Sequence, residues 1–534
     1  MFAQVESLQG SRRVLRITRY AKPPRTPIAH GRPTLLKACK VLQIDKMKLL
    51  FGLQIDNTRL NFCLQIDKTS QSFSSQIDKP QVQSINVRFA PSDHMEEHML
   101  KRKALDQFED WYRYRTKQAL LVTGARQVGK TYLVREFARA HWENVVEINL
   151  FENPAAAEAL STAGNSRELF MRLTAFADVP MVPGKTVVFL DEVQLCKEAV
   201  TAIKFLMERQ DFDYILSGSM LGVELKGLTS APVGYLSTVK MYPLDFEEFA
   251  WANGVSQDIL DEVRSCFADG RPVDEFIHRR LTGLFHRYLI CGGMPDPVQA
   301  FAASDNVSQV RVLQEAIVGQ YRYDISKYAG NRARVVRRIF DLMPSEISRQ
   351  DKRFVVRDVE GDSHFDRYDN DFMWLTDANV ALPAYNVTEP RYPLATNLES
   401  SKFKLFSSDV GILTYQCGMN VVRDVLSSRE DINFGALYEN AVAQELACHG
   451  LGLWYFKNRS IGELDFVVQT GSRVVPIEVK SGKGYKRHTA LTKALRTSNY
   501  GIERAIVLHE GNVERDGAIS YLPTYMTMCL EPGF

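Results

Sequence analysis

The sequence predicts an α/β fold with a parallel-sheet core, and three stretches predict it. Leu120-Leu121-Val122-Thr123 is an apolar strand that runs into Gly124-Ala125-Arg126-Gln127-Val128-Gly129-Lys130-Thr131, with a helical pattern behind it. Lys185-Thr186-Val187-Val188-Phe189-Leu190 is a second apolar strand and ends in Asp191-Glu192. Phe212-Asp213-Tyr214-Ile215-Leu216 is a third and ends in Ser217-Gly218-Ser219. Apolar strands separated by helical segments are the pattern of crossover-connected parallel sheets.

The chain begins differently. Residues 1–94 hold 15 Lys/Arg against 6 Asp/Glu, whereas the whole chain of 534 residues carries only +2. The basic excess therefore belongs to this stretch, and global charge is no argument for nucleic-acid binding. Gln-Ile-Asp recurs every 11 residues, at Gln43, Gln54, Gln65 and Gln76. An 11-residue period suits a right-handed coiled coil, but the residues between repeats share no apolar face. The preferred expectation is a disordered extension translated from repetitive DNA, with the functional chain starting at Met95 or Met99. The eight cysteines form no C-x-x-C and no metal-ligand cluster, so they read as thiols of a reducing compartment. No apolar run is long enough to span a bilayer, and no secretory signal opens the chain. The expected location is cytoplasmic, with no membrane partner.

Leu100 to Tyr114 has Leu105, Phe108, Trp111 and Tyr112 on one helical face and leads into the first strand. The loop after that strand has the form G-x-x-x-x-G-K-[ST], which cradles phosphates. Gly124 and Gly129 let backbone N–H groups of the loop turn toward one anion. The helix that Lys130 opens aims its positive end at the same place. Residues 124–131 are thus the candidate nucleotide-binding set, with Lys130 reaching the β- and γ-phosphates of ATP and Thr131 ligating Mg²⁺.

Val145-Val146-Glu147-Ile148-Asn149-Leu150 is a short strand, and helices are expected over roughly 155–177. The second apolar strand needs no polar residue at its end, yet it carries two carboxylates where ligands sit in open α/β sheets. Asp191 is expected in the Mg²⁺ shell, and Glu192 is expected to polarise the attacking water. Ser217 or Ser219 is placed to sense the γ-phosphate; a plain serine-rich turn is an equal alternative.

Residues from about 255 to 330 read as helical with a break at Gly292-Gly293-Met294-Pro295. Helices followed by Val380 to Val387 suit a winged helix, and Arg332, Arg334, Arg337 and Arg338 precede it. The favoured reading of these arginines is a solvated basic face; the alternative is phosphate contact.

The last part holds a second constellation. Gly435 to Leu446 is an amphipathic helix containing Glu439. Leu464 to Gln469 and Val474 to Lys480 make a hairpin closing on Gly471-Ser472. If Thr470 pairs with Arg473, Asp465 stands opposite Glu478, and Lys480 shares that face. Glu439, Asp465 and Glu478 are the candidate ligands of a second metal, with Lys480 orienting the water that attacks a phosphodiester.

The loop, the Phe189-Leu190-Asp191-Glu192-Val193-Gln194 strand and Leu216-Ser217-Gly218-Ser219 stand in one order with three further blocks. These are Tyr242-Pro243-Leu244-Asp245-Phe246-Glu247-Glu248-Phe249, Leu289 to Pro295, and Phe403 to Leu413. The series resembles the bacterial and archaeal AAA-type ATPases that carry a C-terminal domain of unknown function, over residues of about 100 to 520. The resemblance implies an AAA-type parallel-sheet core at 95–254, a helical lid at 255–332, a winged-helix-like segment at 333–424 and a nuclease-like domain at 425–534. The last site resembles that of restriction-endonuclease-like domains, in the order Glu, Asp, Glu-x-Lys. Many relatives are expected to carry an arginine near Pro232-Val233-Gly234-Tyr235; none stands here, so no arginine finger is assigned. The expected function is Mg²⁺-dependent ATP hydrolysis that drives a conformational switch. The alternatives are an ATP-regulated, metal-dependent nuclease and a non-hydrolysing switch that binds DNA or a protein partner. The oligomeric state is left open.

Overall fold

The computed structural model describes residues 2–6, 14–18, 100–114, 117–219, 222, 234–348, 368–426 and 434–534. The chain divides into two units, Met1–His98 and Met99–Phe534. The first unit contributes two antiparallel strands, Phe2–Glu6 (β1) and Val14–Thr18 (β2), with Phe2 opposite Thr18. The Gln-Ile-Asp repeats lie outside the described residues, and with them most of the stretch for which disorder is expected.

The second unit opens with the helix Ala104–Tyr114, which buries Phe108 and Trp111. Five strands then form a sheet in the order β4-β5-β6-β3-β7, every neighbour pair parallel. They are Ala119–Thr123 (β3), Asn144–Asn149 (β4), Thr186–Asp191 (β5), Asp213–Gly218 (β6) and Leu236–Lys240 (β7). All six residues of β5 are buried, as a strand covered on both faces requires. Leu190, Tyr214 and Leu216 face the helices Pro154–Ser161, Ser166–Phe176 and Lys197–Arg209. Val187, Phe189 and Ile215 face the opposite layer, where Lys130–His141, Val307–Tyr328 and Ala333–Ile347 pack.

A second sheet has eight strands in the order β14-β15-β13-β12-β11-β10-β8-β9. Ala381–Val387 (β8) and Leu398–Ser407 (β9) form an antiparallel hairpin behind the helix Asp369–Asp377, which is the helix-then-hairpin order expected there. The hairpin does not close on itself. β8 pairs in parallel with Trp454–Asn458 (β10), so Tyr385 stands beside Trp454. The sheet thus crosses the expected boundary at 424/425. It continues through Gly462–Thr470 (β11), Arg473–Val479 (β12), Ala505–His509 (β13), Glu514–Asp516 (β14) and Ile519–Pro523 (β15).

One hydrophobic core runs from Leu244 through Phe285 and Tyr438 to Leu530, and so belongs at once to the expected lid and to the C-terminal sheet. The motif blocks meet at its edge. Leu244 N donates to Gly293 O at 2.7 Å, and Gly293 N donates to Asp409 Oδ2 at 2.6 Å. A Cβ on Gly293 would lie 2.0 Å from Leu244 O, so only glycine admits this approach. From the Gly435–Cys448 helix, Gln444 Oε1 accepts from Val410 N and Asn440 Oδ1 from Ser407 N, both at 2.8 Å. Among the described residues no helix is long and apolar enough to cross a membrane. The six described cysteines are free thiols.

Candidate functional site

The loop between β3 and the Lys130–His141 helix takes the conformation that its glycines allow. Gly124 has φ 143° and Gly129 φ 88°; a Cβ at Gly124 would lie 2.2 Å from Met241 O. Gln127, at φ 64°, is one of the few non-glycine residues in the left-handed region. The loop is braced from outside by buried Arg102. Its guanidinium donates to Val128 O at 2.9 Å, to Tyr242 O at 2.6 Å and to Glu248 Oε1 at 3.2 Å.

Lys130 is buried and folded back on the loop, donating to Gly124 O at 3.0 Å and Ala125 O at 2.8 Å. Burial pushes its ammonium down to about 8, against the pull of Glu192 and Asp191. The lysine is thus a desolvated cation in the field of Glu192, Asp191 and Arg126. Thr131 Oγ1 donates to Asp191 Oδ2 at 2.9 Å. Asp191 also receives Asn149 Nδ2 on Oδ2 at 3.0 Å and the Ser217 hydroxyl on Oδ1. Two strand ends and one helix N-terminus therefore converge on the carboxylate at the end of a third strand.

Glu192 sits at φ 56°, a strained position for a side chain with a Cβ, and such strain concentrates at functional sites. Gln194 donates to Glu192 Oε2, and Ser219 Oγ lies 3.4 Å from the same oxygen. The two serines thus divide their work: Ser217 holds Asp191 and Ser219 faces Glu192. Sequence reasoning missed Asn149, Gln194 and Arg102. Asn149 ends a strand beside the one that carries Asp191, an adjacency that only the strand pairing reveals.

Residues 116–250 match the family described as an AAA domain. The parallel sheet, the phosphate loop and the Asp191-Glu192 strand end all lie within that match. Residues 282–422 match a domain of unknown function, DUF8612, and residues 434–525 match another, DUF4143. Solved structures similar to the chain include the Walker-type ATPase of Pyrococcus abyssi, at 16% identity and a TM-score of 0.38, over 60% of this chain and 97% of that one. PCH-2 of C. elegans follows at 14% and 0.23, over 40% and 63%. The Aeropyrum pernix ORC1 protein in complex with DNA stands at 10% and 0.22, over 61% and 91%. No curated protein matches.

The C-terminal constellation is assembled in part. The hairpin has the expected register, Thr470 opposite Arg473 and Phe466 opposite Ile477. From Trp454 to Phe456 β10 advances two residues while the partner on β11 moves from Val467 to Leu464, so β11 bulges beside Asp465. Asp465 Oδ2 accepts from Val479 N at 3.0 Å, and Lys480 Nζ donates to Glu478 Oε1 at 2.6 Å. Burial, then the nearby Asp465, pushes Glu478 up to about 7. Its Oε2 is buried with no hydrogen-bond partner among the described residues.

One expectation needs correction. Glu439 does not join this pair: no group of three or more His, Cys, Asp or Glu side chains is placed to hold a metal among the described residues. The Gly435–Cys448 helix packs with Val475, Ile477 and Val479, whereas Val474, its neighbour Pro476 and Glu478 alternate with these and belong to the other face. Both faces of the hairpin are buried, so it has no solvent side. The arginines ahead of the β8–β9 hairpin form the solvated face expected of them: Arg334, Arg337 and Arg338 are exposed and Arg332 is half-buried. Arg332 pairs with buried Asp371, and Arg337 lies 3.9 Å from Asp341.

Proposed function

We propose that the AAA domain binds ATP with Mg²⁺ and hydrolyses it, and that turnover drives a conformational switch of the segments behind it. The observation that carries this reading is the convergence of Thr131, Asn149 and Ser217 on Asp191, beside a buried Lys130 that opens the helix behind the phosphate loop. The donor set fits Mg²⁺: a hydroxyl and a carboxylate oxygen are hard ligands. Thr131 and Asp191 would hold the ion, which when bound shields phosphate charge and orients the γ-phosphate. Lys130 leaves its two carbonyls to bind the β- and γ-phosphates. Glu192, held by Gln194 and Ser219, orients the attacking water and accepts its proton. The test is phosphate release from the full chain with ATP and Mg²⁺. Lys130→Ala is expected to lose nucleotide binding. Glu192→Gln is expected to bind ATP and turn it over about a hundredfold more slowly; equal turnover would remove Glu192 from the reaction.

A second reading, ATP-regulated cleavage of DNA, is supported by one observation: Glu478 Oε2 is buried and unbonded beside Asp465 and Lys480. Two carboxylates fit a divalent ion that needs water for its other ligands. Plasmid nicking with Mg²⁺ or Mn²⁺, lost in Asp465→Ala, tests it. A third, a switch that binds DNA or a protein partner without turnover, is favoured by tight ATP binding with no phosphate release.

A further inference from the structure

Arg126 occupies the phosphate loop, yet its counterion lies elsewhere. Its Nε is 2.8 Å from Asp324 Oδ2, on the Val307–Tyr328 helix, which lies within the 282–422 match and outside the AAA domain. The approach is close but not aligned: the buried Nε has no hydrogen-bond partner among the described residues. Asp324 is 5% exposed in its side chain and accepts from Gln320 Nε2 at 3.1 Å, one turn earlier. The guanidinium acts electrostatically on Lys130, and Asp324 feels Glu192. Arg126 therefore joins the phosphate loop to the helix and lies near enough to Lys130 for the two cations to repel.

A guanidinium with a misaligned carboxylate is poised for a better acceptor, because phosphate oxygens accept two parallel N–H bonds. Asp324, left behind, would be a buried carboxylate without its cation, which is costly enough to move the element that carries it. We propose that Arg126 is a specificity-determining residue that recognises the terminal phosphate of a nucleoside triphosphate, and that Asp324 holds it in reserve until that phosphate arrives. Nucleoside diphosphate leaves the ion pair intact. Nucleoside triphosphate breaks it and frees the Val307–Tyr328 helix. This rests on the ATP reading above.

The test uses the full chain with Mg²⁺ and compares ATPγS with ADP by calorimetry. Asp324→Asn removes the competitor, so ATPγS binds about tenfold more tightly while ADP binds as before. Arg126→Ala loses the preference for ATPγS. The double variant matches Arg126→Ala, because the effect of Asp324 passes through the arginine. Amide exchange in residues 307–328 quickens with ATPγS in the unmodified chain and stays flat in Arg126→Ala. Unchanged ATPγS affinity in a folded Asp324→Asn, or a retained preference in Arg126→Ala, overturns the proposal. Nucleotide binding that survives Lys130→Ala would overturn the ATP reading itself. Binding lost in Lys130→Ala but indifferent to Arg126 would overturn the sensor alone.

Discussion

Thr131 Oγ1 donates to Asp191 Oδ2 across 2.9 Å, joining the end of the phosphate loop to the end of β5. Where a hydroxyl and a carboxylate already touch, one divalent ion can take both as ligands with little rearrangement. Asp191→Ala and Thr131→Val are each expected to lower phosphate release about a hundredfold, and the double variant is expected to do little worse. Phosphate release at a series of Mg²⁺ concentrations measures all three; full additivity would separate the two roles.

Asn149 gives its Nδ2 to the carboxylate while its Oδ1 accepts from Phe151 N and Glu152 N, so its effect should be smaller and of a different kind. Asn149→Ala is expected to raise the Mg²⁺ needed for half-maximal turnover about tenfold, as loss of an orienting partner does. Turnover at saturating Mg²⁺ should change little.

The depressed Lys130 gives ATP binding a pH dependence. The ammonium is the binding form, and bound phosphate stabilises it. Above about pH 8 the empty site has lost the proton that the complex needs. Affinity therefore falls as pH rises through 8, and binding takes up a proton there. Calorimetry in two buffers of different ionisation heat should show uptake near pH 9 and none near pH 6.

Gly293→Ala tests the junction of the motif blocks. Its Cβ would meet Leu244 O at 2.0 Å, Leu244 N at 2.6 Å and Leu244 C at 2.8 Å, backbone atoms that have no room to yield. A loss of about 3 kcal/mol or more is expected in denaturant unfolding. Gly517→Ala, with no atom within 4 Å of its Cβ, should cost far less. The φ of 56° at Gly517 gives that control a small cost of its own.

At the second site, Glu478 is protonated below about pH 7, and only the carboxylate binds a metal. Mn²⁺ affinity is expected to rise as pH climbs through 7 and then level off. Asp465→Asn should remove the binding.

The site was legible where chemistry constrains consecutive residues. The loop from Gly124 to Thr131 and the Asp191-Glu192 pair were readable because neighbours in sequence are neighbours in the site. Asn149, Arg102 and Asp324 were not, because their partners lie far off in the chain and only packing joins them. The β11–β12 register followed from its two-residue turn, but the bulge beside Asp465 has no sequence mark. Glu439 misled because a helical carboxylate near two strand carboxylates looks the same whichever face the helix covers. The domain boundaries drew on helix and hairpin patterns, which are local, whereas strand pairing across 424/425 is not.

The pairing of β8 with β10 sets an order of events on the ribosome. The β8–β9 hairpin leaves the exit tunnel with an open edge, and the strand that covers it emerges only after the Gly435–Cys448 helix. An uncovered apolar edge invites pairing with another nascent chain. Stalled or truncated products ending before β10 should therefore be the sticky ones, and synthesis speed through that interval should govern the soluble yield.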